Sequence, residues 1–500
     1  MANIILISLY DRNAYGQRLM SANLKRNGHK CHIIFLKRFD TKSSYNLEYE
    51  EGEFPWMGIY MNGRVFKHAT NSKISDIELN LLKELLTKLK PDIIGMTVNT
   101  PLRKHCIRVT KFIKQNFPEP VIWGGFDPTV NPEKCLEYAD FVCLGEGDRT
   151  ILDIADNIDN NRNINNACNL AFFQNNTIVY NPKSPLEQKI DNYPWRDNTS
   201  DNKYFIEDDK IIENYPVVND GNVGFYQTMS ARGCPFKCSY CCEASFKNLY
   251  SGEKFLRRRT PEDLIAELIE AKKQFDLKEI HFEDEIFGMD LNWLKEFNPL
   301  YKKYINLPFH AYIYPSNNIE EILFTLKDAG LNLCCLALES GSERINKDIF
   351  KRVFNKELYL RAVKACKDLK ILFYTDVITY NPYENEDDLK KTLDVLLEMG
   401  GNFRMCVNKL FILPGTKLAQ QVQDDGIDLT DTSRDKLFNY YCRLYWITTI
   451  PNLSRPIVRG IQKFHIFKKY PQLINPLIIK AALSPSSVIR RLKTIIKSKI

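Results

Sequence analysis

The chain has 500 residues and a net charge of +7, with 44% hydrophobic and 26% charged residues, the composition of an ordinary folded protein. Its length predicts about three domains, and it holds no run of about 18 uninterrupted apolar residues, which excludes a membrane-spanning helix. Residues 451–500 carry eleven Lys or Arg (Arg455, Arg459, Lys463, Lys468, Lys469, Lys480, Arg490, Arg491, Lys493, Lys497, Lys499) and no acid, which leaves the first 450 residues at −4.

The opening M-A-N-I-I-L-I-S-L-Y-D lacks the basic start and small-residue cleavage site of a signal peptide and reads as a buried strand over 4–9. Fourteen cysteines in a chain expected to be cytoplasmic predict thiols and metal chemistry rather than disulfides. A helix is expected over 16–27, with Leu19, Met20 and Leu24 at helical spacing and Gly28 ending it. A strand over 31–36, a polar irregular insert over 40–71, a helix over 75–89 and strands at 92–98, 121–123 and 140–144 follow. This alternation predicts a doubly wound, Rossmann-like α/β domain over 1–155, with ligands beyond the carboxyl ends of the strands. The turns there read Y-D-R-N-A-Y-G, V-N-T-P, W-G-G-F-D-P-T and L-G-E-G-D. Gly124 and Gly125 admit a bulky ligand or simply make a tight turn. No G-x-G-x-x-G string is present, which argues against a dinucleotide.

Residues 156–220, rich in Asn and Asp, read as a linker with a short strand pair at 170–173 and 178–180. From Gly224 the alternation resumes over a domain spanning 221–420, with strands expected at 224–229, 279–284, 309–314, 332–338, 371–379 and 406–412. Thr260 and Pro261 start a helix as N-cap and first-turn residue, with Leu264, Leu268 and Ile269 on one face. Residues 421–500 are expected to be helical and basic, with Ile457, Ile461, Phe464 and Phe467 as an apolar stripe. Solvated surface or peripheral contact with an anionic membrane would both suit that segment; no nucleic-acid motif accompanies the charge.

The loop from Arg232 to Cys242 reads R-G-C-P-F-K-C-S-Y-C-C, which puts Cys234, Cys238 and Cys241 in a C-x3-C-x2-C spacing. Thiolates are the usual ligands of iron-sulfur clusters, and four close a four-iron cluster, so three leave one iron open. Structural zinc is the alternative, but no C-x2-C or H-x3-H pair follows within 90 residues. Buried thiols fit a Gly-, Pro-, Lys- and Ser-rich loop poorly. Cys242 could compete as a ligand.

With Tyr240 before the last cysteine, the loop resembles the hallmark of the radical S-adenosylmethionine (SAM) enzymes. The resemblance implies that Cys234, Cys238 and Cys241 carry a 4Fe-4S cluster whose open iron is chelated by SAM, with Tyr240 near the adenine. One electron, from a donor such as flavodoxin or ferredoxin, then splits SAM into methionine and a 5'-deoxyadenosyl radical. A partial (β/α)6, TIM-like barrel is implied, with the loop after its first strand. The strand end H-F-E-D-E-I-F assigns Glu283, Asp284 and Glu285 to the SAM ammonium. L-A-L-E-S-G-S-E-R assigns Glu339 and Ser340 to the ribose and methionine portions, and Arg352, thirteen residues beyond Glu339, stands where relatives often carry a basic residue for the SAM carboxylate. The fifth end, Y-N-P-Y-E-N-E-D-D, keeps Pro382 and Glu384 of the family's G-x-P-x-E-T but has Asn381 or Tyr380 for the glycine. The sixth, F-I-L-P-G-T, keeps Pro414 and Gly415. Tyr312, Tyr314, Tyr374 and Tyr380 are candidates for the barrel mouth or for packing.

Upstream, V-I-W-G-G-F-D-P-T and D-F-V-C-L-G-E-G resemble the cobalamin-binding domain that precedes the barrel in one radical SAM subgroup. By that resemblance Asn99, Thr100, Gly124, Gly125, Gly145, Glu146 and Gly147 line the corrin and its nucleotide tail. D-R-N-A-Y-G stands where D-x-H-x-x-G would supply an axial histidine, so no histidine is expected on cobalt. The leading expectation is a cobalamin-dependent radical SAM methyltransferase acting on an unactivated carbon of a small-molecule, peptide or lipid-linked substrate. One rival is a non-methylating rearrangement, cyclisation or coupling, with the cobalamin site degenerate or differently used. The other is a non-catalytic iron-sulfur or zinc scaffold.

Overall fold

The computed structural model describes residues 1–37, 73–215, 224–452 and 454–475, together with the backbone of four two-residue strands between Phe39 and Asn71. The rest of the expected insert over 40–71, and the basic residues Lys480, Arg490, Arg491, Lys493, Lys497 and Lys499, lie outside the described residues. The chain forms two compact units, one of Met1–Pro55, Lys67–Ile280 and Ile412–Gln420, the other of Trp56–Phe66, His281–Phe411 and Gln421–Ile500.

The first unit is built on a nine-stranded sheet. Its strands are β1 (Asn3–Leu9), β2 (Lys30–Leu36), β3 (Ile93–Thr97), β4 (Val121–Gly124), β5 (Phe141–Cys143), β6 (Leu170–Gln174), β7 (Thr177–Tyr180), β8 (Lys203–Glu207) and β9 (Lys210–Glu213). Their order is β7-β6-β5-β4-β3-β1-β2-β8-β9. The central strands are parallel, with Ile4 of β1 opposite Cys31 on one side and Ile93 on the other. Parallel strands covered by helices on both faces must be apolar throughout, and β1 is buried along all but its first residue. On one face Ile5, Ile7, Ile94 and Trp123 pack against Leu82 and Leu86 of α2 (Asp76–Leu89) and Val109 and Ile113 of α3 (Arg103–Asn116). On the other, Ile4, Leu6 and Ile33 meet Leu24 of α1 (Tyr15–Arg26) and Ile151 and Ile154 of α4 (Asp148–Asp159).

Two expectations need correction here. Residues 156–220 are no linker: β6 pairs with β5 and β8 with β2, so both edges of the sheet come from this stretch. Leu170, Ala171, Phe172, Phe205 and Ile206 are buried there, a burial that the surrounding Asn and Asp hide in the composition. In α1 the buried residues are Gln17, Arg18, Ser21, Asn23 and Leu24, while Leu19 is half-buried and Met20, also half-buried, packs against the core. Arg18 donates to the carbonyls of Asn13 and Asp197, and Ser21 to the Asp197 carboxylate, so polar partners draw these residues inward.

The first unit continues through β10 (Phe225–Thr228), a ribbon of β11 (Ala231–Arg232) and β12 (Arg257–Arg258), the helices α5 (Cys242–Leu249) and α6 (Pro261–Gln274), and into β13 (Glu279–Phe282). Thr260 caps α6 as expected, accepting from the Asp263 N–H. In the second unit β14 (Phe309–Tyr312), β15 (Leu331–Cys335), β16 (Leu372–Thr379) and β17 (Arg404–Lys409) pair in chain order, all parallel. The class is α/β: a doubly wound sheet, the parallel βα repeats of a partial barrel, and a helical C-terminal region.

That last region departs from the expected stripe. α9 (Ser454–Gln462) turns Val458 and Ile461 against α8 (Asp435–Thr448) and ends before Phe464, which is 61% exposed. The helix therefore uses its apolar face inside the unit. Among the described residues no helix is long and apolar enough to cross a membrane.

Candidate functional site

Because β3, β4 and β5 are adjacent and parallel, their carboxyl ends bring three turns together. Asp127, fully buried, organises the first two. It accepts from Thr100 Oγ1 at 2.9 Å, Asn131 Nδ2 at 3.0 Å and both Nε and Nη2 of Arg103. Thr129 joins the second turn to the third: its hydroxyl donates to the Gly125 carbonyl at 2.7 Å and accepts the Gly145 N–H at 3.0 Å. Asn99 is exposed, and Thr100, Gly124, Gly125, Gly145, Glu146 and Gly147 are half-buried along this edge. The seven residues expected to meet a corrin thus share one rim. Thr100 and Glu146 already have intramolecular partners there.

Glu146 is committed most fully. Its carboxylate receives Arg257 through both terminal nitrogens and Arg232 Nη1 at 3.3 Å, while its N–H donates to the Tyr250 hydroxyl at 2.9 Å. Arg232 also grips Asp148 with two bonds, of 2.8 and 3.1 Å. Burial would raise the Asp148 carboxyl, but the charge and hydrogen bonds of Arg232 win and hold it below its ordinary value. Gly145 has φ +78, and a Cβ there would stand 2.2 Å from the Tyr250 hydroxyl, so only glycine lets this turn close on that ring.

Arg232 is two residues from Cys234. The cysteine loop follows directly, with Cys234, Cys238 and Cys241 half-buried and no disulfide among them. Lys247 of α5 holds the start of the loop by donating to the carbonyls of Cys234 and Pro235. Leu418, two residues beyond the sixth-end string, donates its N–H to the Ser239 carbonyl of the loop, and Ser245 Oγ of α5 donates to the Gly415 carbonyl of that string. Cys241 is the N-cap of α5, where the helix dipole favours a thiolate, and Cys242 is that helix's first residue. Among the described residues no three His, Cys, Asp or Glu side chains converge on a single metal-ion position. Thiolates that bind separate irons of a cluster need no such convergence, and three thiols on one loop fit that group in chemistry.

In the second unit the strand ends carry the remaining candidates. Asp284 is buried, Glu283 half-buried and Glu285 exposed; desolvation by the surrounding chain, and then the charges of Asp284 and Glu283, raise the Glu285 carboxyl. Glu339 is a non-glycine residue at φ 61, held by its N–H on the Asp376 carbonyl at 2.8 Å and by the Ile378 N–H on its own carbonyl. Arg352 Nη2 donates to the Ala337 carbonyl at 2.7 Å, which puts Arg352 at the same strand end as Glu339. Ser340 is fully buried, and its hydroxyl faces Thr392 Oγ1 at 3.4 Å and Glu384 Oε1 at 3.5 Å. Glu384 is buried, with one carboxyl oxygen unpartnered; burial and then the Asp388 charge push it up to about 8. Tyr312 and Tyr374 gather around His310, whereas Tyr380 stacks on Phe438 and the Tyr314 hydroxyl donates to the Val353 carbonyl.

Sequence reasoning did not single out Arg103, Asp127, Asp148, Tyr250 or Arg257, the residues that tie these turns together. Arg232, Asp127 and Asp148 carried a local signal, as members of the R-G-C-P, W-G-G-F-D-P-T and L-G-E-G-D strings.

Residues 229–396 match the radical SAM superfamily, and residues 50–155 match the B12 binding domain. The chain is 25% identical over 323 residues to an uncharacterised methyltransferase of Pyrococcus horikoshii, covering 64% of this chain and 66% of that one. It is 23% identical over 398 residues to cytidylyl-2-hydroxyethylphosphonate methyltransferase of Streptomyces wedmorensis, covering 69% and 72%. In fold it resembles TsrM, a radical SAM methyltransferase of Kitasatospora setae solved with tryptophan and a SAM analogue, at a TM-score of 0.64 and 15% identity over 85% of this chain and 76% of that one. Another TsrM structure holds cobalamin and a [4Fe-4S] cluster.

Proposed function

We propose that this chain, a radical SAM enzyme carrying a B12-binding domain, methylates an unactivated carbon of a small-molecule substrate with the aid of a 4Fe-4S cluster, SAM and cobalamin. One observation carries the reading: the cysteine loop and the three turns after β3, β4 and β5 lie in the same compact unit, with Arg232 joined to Asp148. When bound, the cluster with SAM supplies a hydrogen-abstracting 5'-deoxyadenosyl radical and the corrin supplies the methyl group.

The residues have binding and orienting tasks. Cys234, Cys238 and Cys241 hold the cluster, with Tyr240 at the adenine and Cys242 dispensable. Glu283, Asp284 and Glu285 receive the SAM ammonium, Glu339 and Ser340 its ribose and methionine portions, and Arg352 its carboxylate. Asn99, Thr100, Gly124, Gly125, Gly145 and Gly147 present backbone and small side chains to the corrin, and Glu146 acts from behind them. No protein acid or base is assigned, since the hydrogen leaves substrate as an atom. A flavodoxin or ferredoxin would serve as the electron donor.

The test is anaerobic reconstitution followed by iron, sulfide, corrin and product analysis. The expected result is four irons and four sulfides per chain, retained in Cys242→Ala and lost in Cys238→Ala, with bound corrinoid. Turnover with SAM and reductant should give both 5'-deoxyadenosine and S-adenosylhomocysteine. Deoxyadenosine alone would move the reading to a non-methylating reaction, and tightly held zinc without sulfide would overturn it.

A further inference from the structure

Arg232 and Arg257 face each other across the β11–β12 ribbon as register partners. Two like charges directly opposite on a ribbon repel, so the pair needs a counter-charge. It comes from the turn after β5: Glu146 spans both arginines, and Asp148 takes the outer edge of Arg232. The Tyr193 ring lies 4.7 Å from the Arg232 guanidinium on another side. Arg257 is 1% exposed and Asp148 8%, and Arg257 further donates to the carbonyls of Phe255 and Glu187.

Buried ion pairs add little net stability, because desolvating the charges offsets their attraction; apolar residues of equal volume often serve the fold as well. What a two-acid, two-arginine lattice adds is direction. Bidentate guanidinium–carboxylate contacts fix angle as well as distance, and these join two elements with separate tasks. At one end stands the rim expected to carry the corrin. At the other, one residue past Arg232, begins the loop expected to carry the cluster.

We propose that Glu146, Asp148, Arg232 and Arg257 form a positioning clamp that fixes the cysteine loop against the corrin rim, and so sets the separation between the two cofactors. The clamp rests on the function proposed above. It makes Glu146 a residue that acts through the loop, its carboxylate spent on arginines. Gly145 and Tyr250 serve the same end, since a Cβ at Gly145 would meet the Tyr250 ring and only glycine lets the turn close on the end of α5.

Two measurements test it on the full chain, with Asp148→Asn and Glu146→Gln as near-isosteric variants and Asp148→Glu as the charge-keeping control. The first is hydrogen exchange of the cofactor-free protein. Amides of 233–242 should exchange roughly tenfold faster in both isosteric variants, with the Glu control in between and the amides of β3 and β4 unchanged. The second is pulsed paramagnetic resonance of protein loaded with reduced cluster and cob(II)alamin, both of spin one-half. The separation between the centres should be single and narrow in the wild type, and longer or at least doubled in width in the variants. Wild-type exchange in the loop of both variants overturns the clamp, as does uniform acceleration across the sheet. An unchanged spin separation also overturns it. If the wild type binds no corrinoid, the proposed function fails, and the exchange measurement alone decides the clamp.

Discussion

Arg103 holds Asp127 through two bonds, Nε to Oδ2 at 2.6 Å and Nη2 to Oδ1 at 2.7 Å, across the gap between the turns that follow β3 and β4. Asp127 has no exposed surface, and Thr100 and Asn131 use the same carboxylate. Asp127→Ala leaves a largely buried guanidinium without its counter-charge, which costs on the order of 3 kcal/mol. The expected outcome is a lowered urea midpoint together with weaker corrin uptake, read by absorbance after gel filtration. Wild-type uptake in a folded variant would show that the two turns do not form the corrin rim.

Gly233 stands at φ +87, between the clamp and the first cysteine, and a Cβ there would lie 2.5 Å from the Phe255 carbonyl oxygen. Gly233→Ala must bear a left-handed alanine, about 1–2 kcal/mol, and must also push backbone aside. The start of the loop should shift while the sheet stays intact. Iron and sulfide content after reconstitution should fall well below wild type, with an unchanged far-ultraviolet dichroism spectrum.

The strands were legible because their signals are local. Apolar runs such as that of β1 cannot be anything but buried, and the C-x3-C-x2-C spacing carries its chemistry in eight residues. The contacts were not legible, because they join distant positions: Glu146 meets Arg257 across 111 residues and Asp127 meets Arg103 across 24. Composition misled where the environment is mixed. In residues 156–220 the Asn-rich turns outweigh four short strands, and in α1 the polar residues turn inward because Asp197 and two carbonyls await them. The strand ends of the second unit were found by their acids. That Ser340 looks toward Glu384 and Thr392 needed the register of the helix α7 (Glu386–Glu398), which places Thr392 one turn beyond Asp388.

Glu384 supplies a pH test. Its ordinary value is 4.5, and burial moves it to about 8 in the folded chain. Between those values the folded state keeps a proton that the unfolded state has lost. Stability therefore falls as pH rises through that window, by roughly 1 kcal/mol per pH unit for one proton, and levels off above it. Glu384→Gln removes this titration. The difference in urea midpoint between variant and wild type should grow in the variant's favour from pH 5 to pH 8; a constant difference would show that Glu384 is ionised in the fold.

Thr392 shapes the strand end expected to meet SAM. Its hydroxyl accepts the buried Gly341 N–H at 2.8 Å, lies 3.4 Å from Ser340 Oγ and donates to the Asp388 carbonyl at 3.2 Å. Asp388 in turn accepts from Ser342 Oγ and pairs with Arg344, so four residues after Glu339 (Ser340, Gly341, Ser342 and Arg344) are tied to α7. Glu339 itself, at φ 61, keeps its uncommon conformation only while its neighbours hold. Thr392→Val preserves volume and orphans the Gly341 N–H, at about 1–3 kcal/mol. If Glu339 and Ser340 bind SAM, calorimetric titration of the reconstituted chain should show its dissociation constant rise roughly tenfold, with Thr392→Ser restoring it. Lost stability with unchanged SAM affinity would confine this end to holding the helix in place.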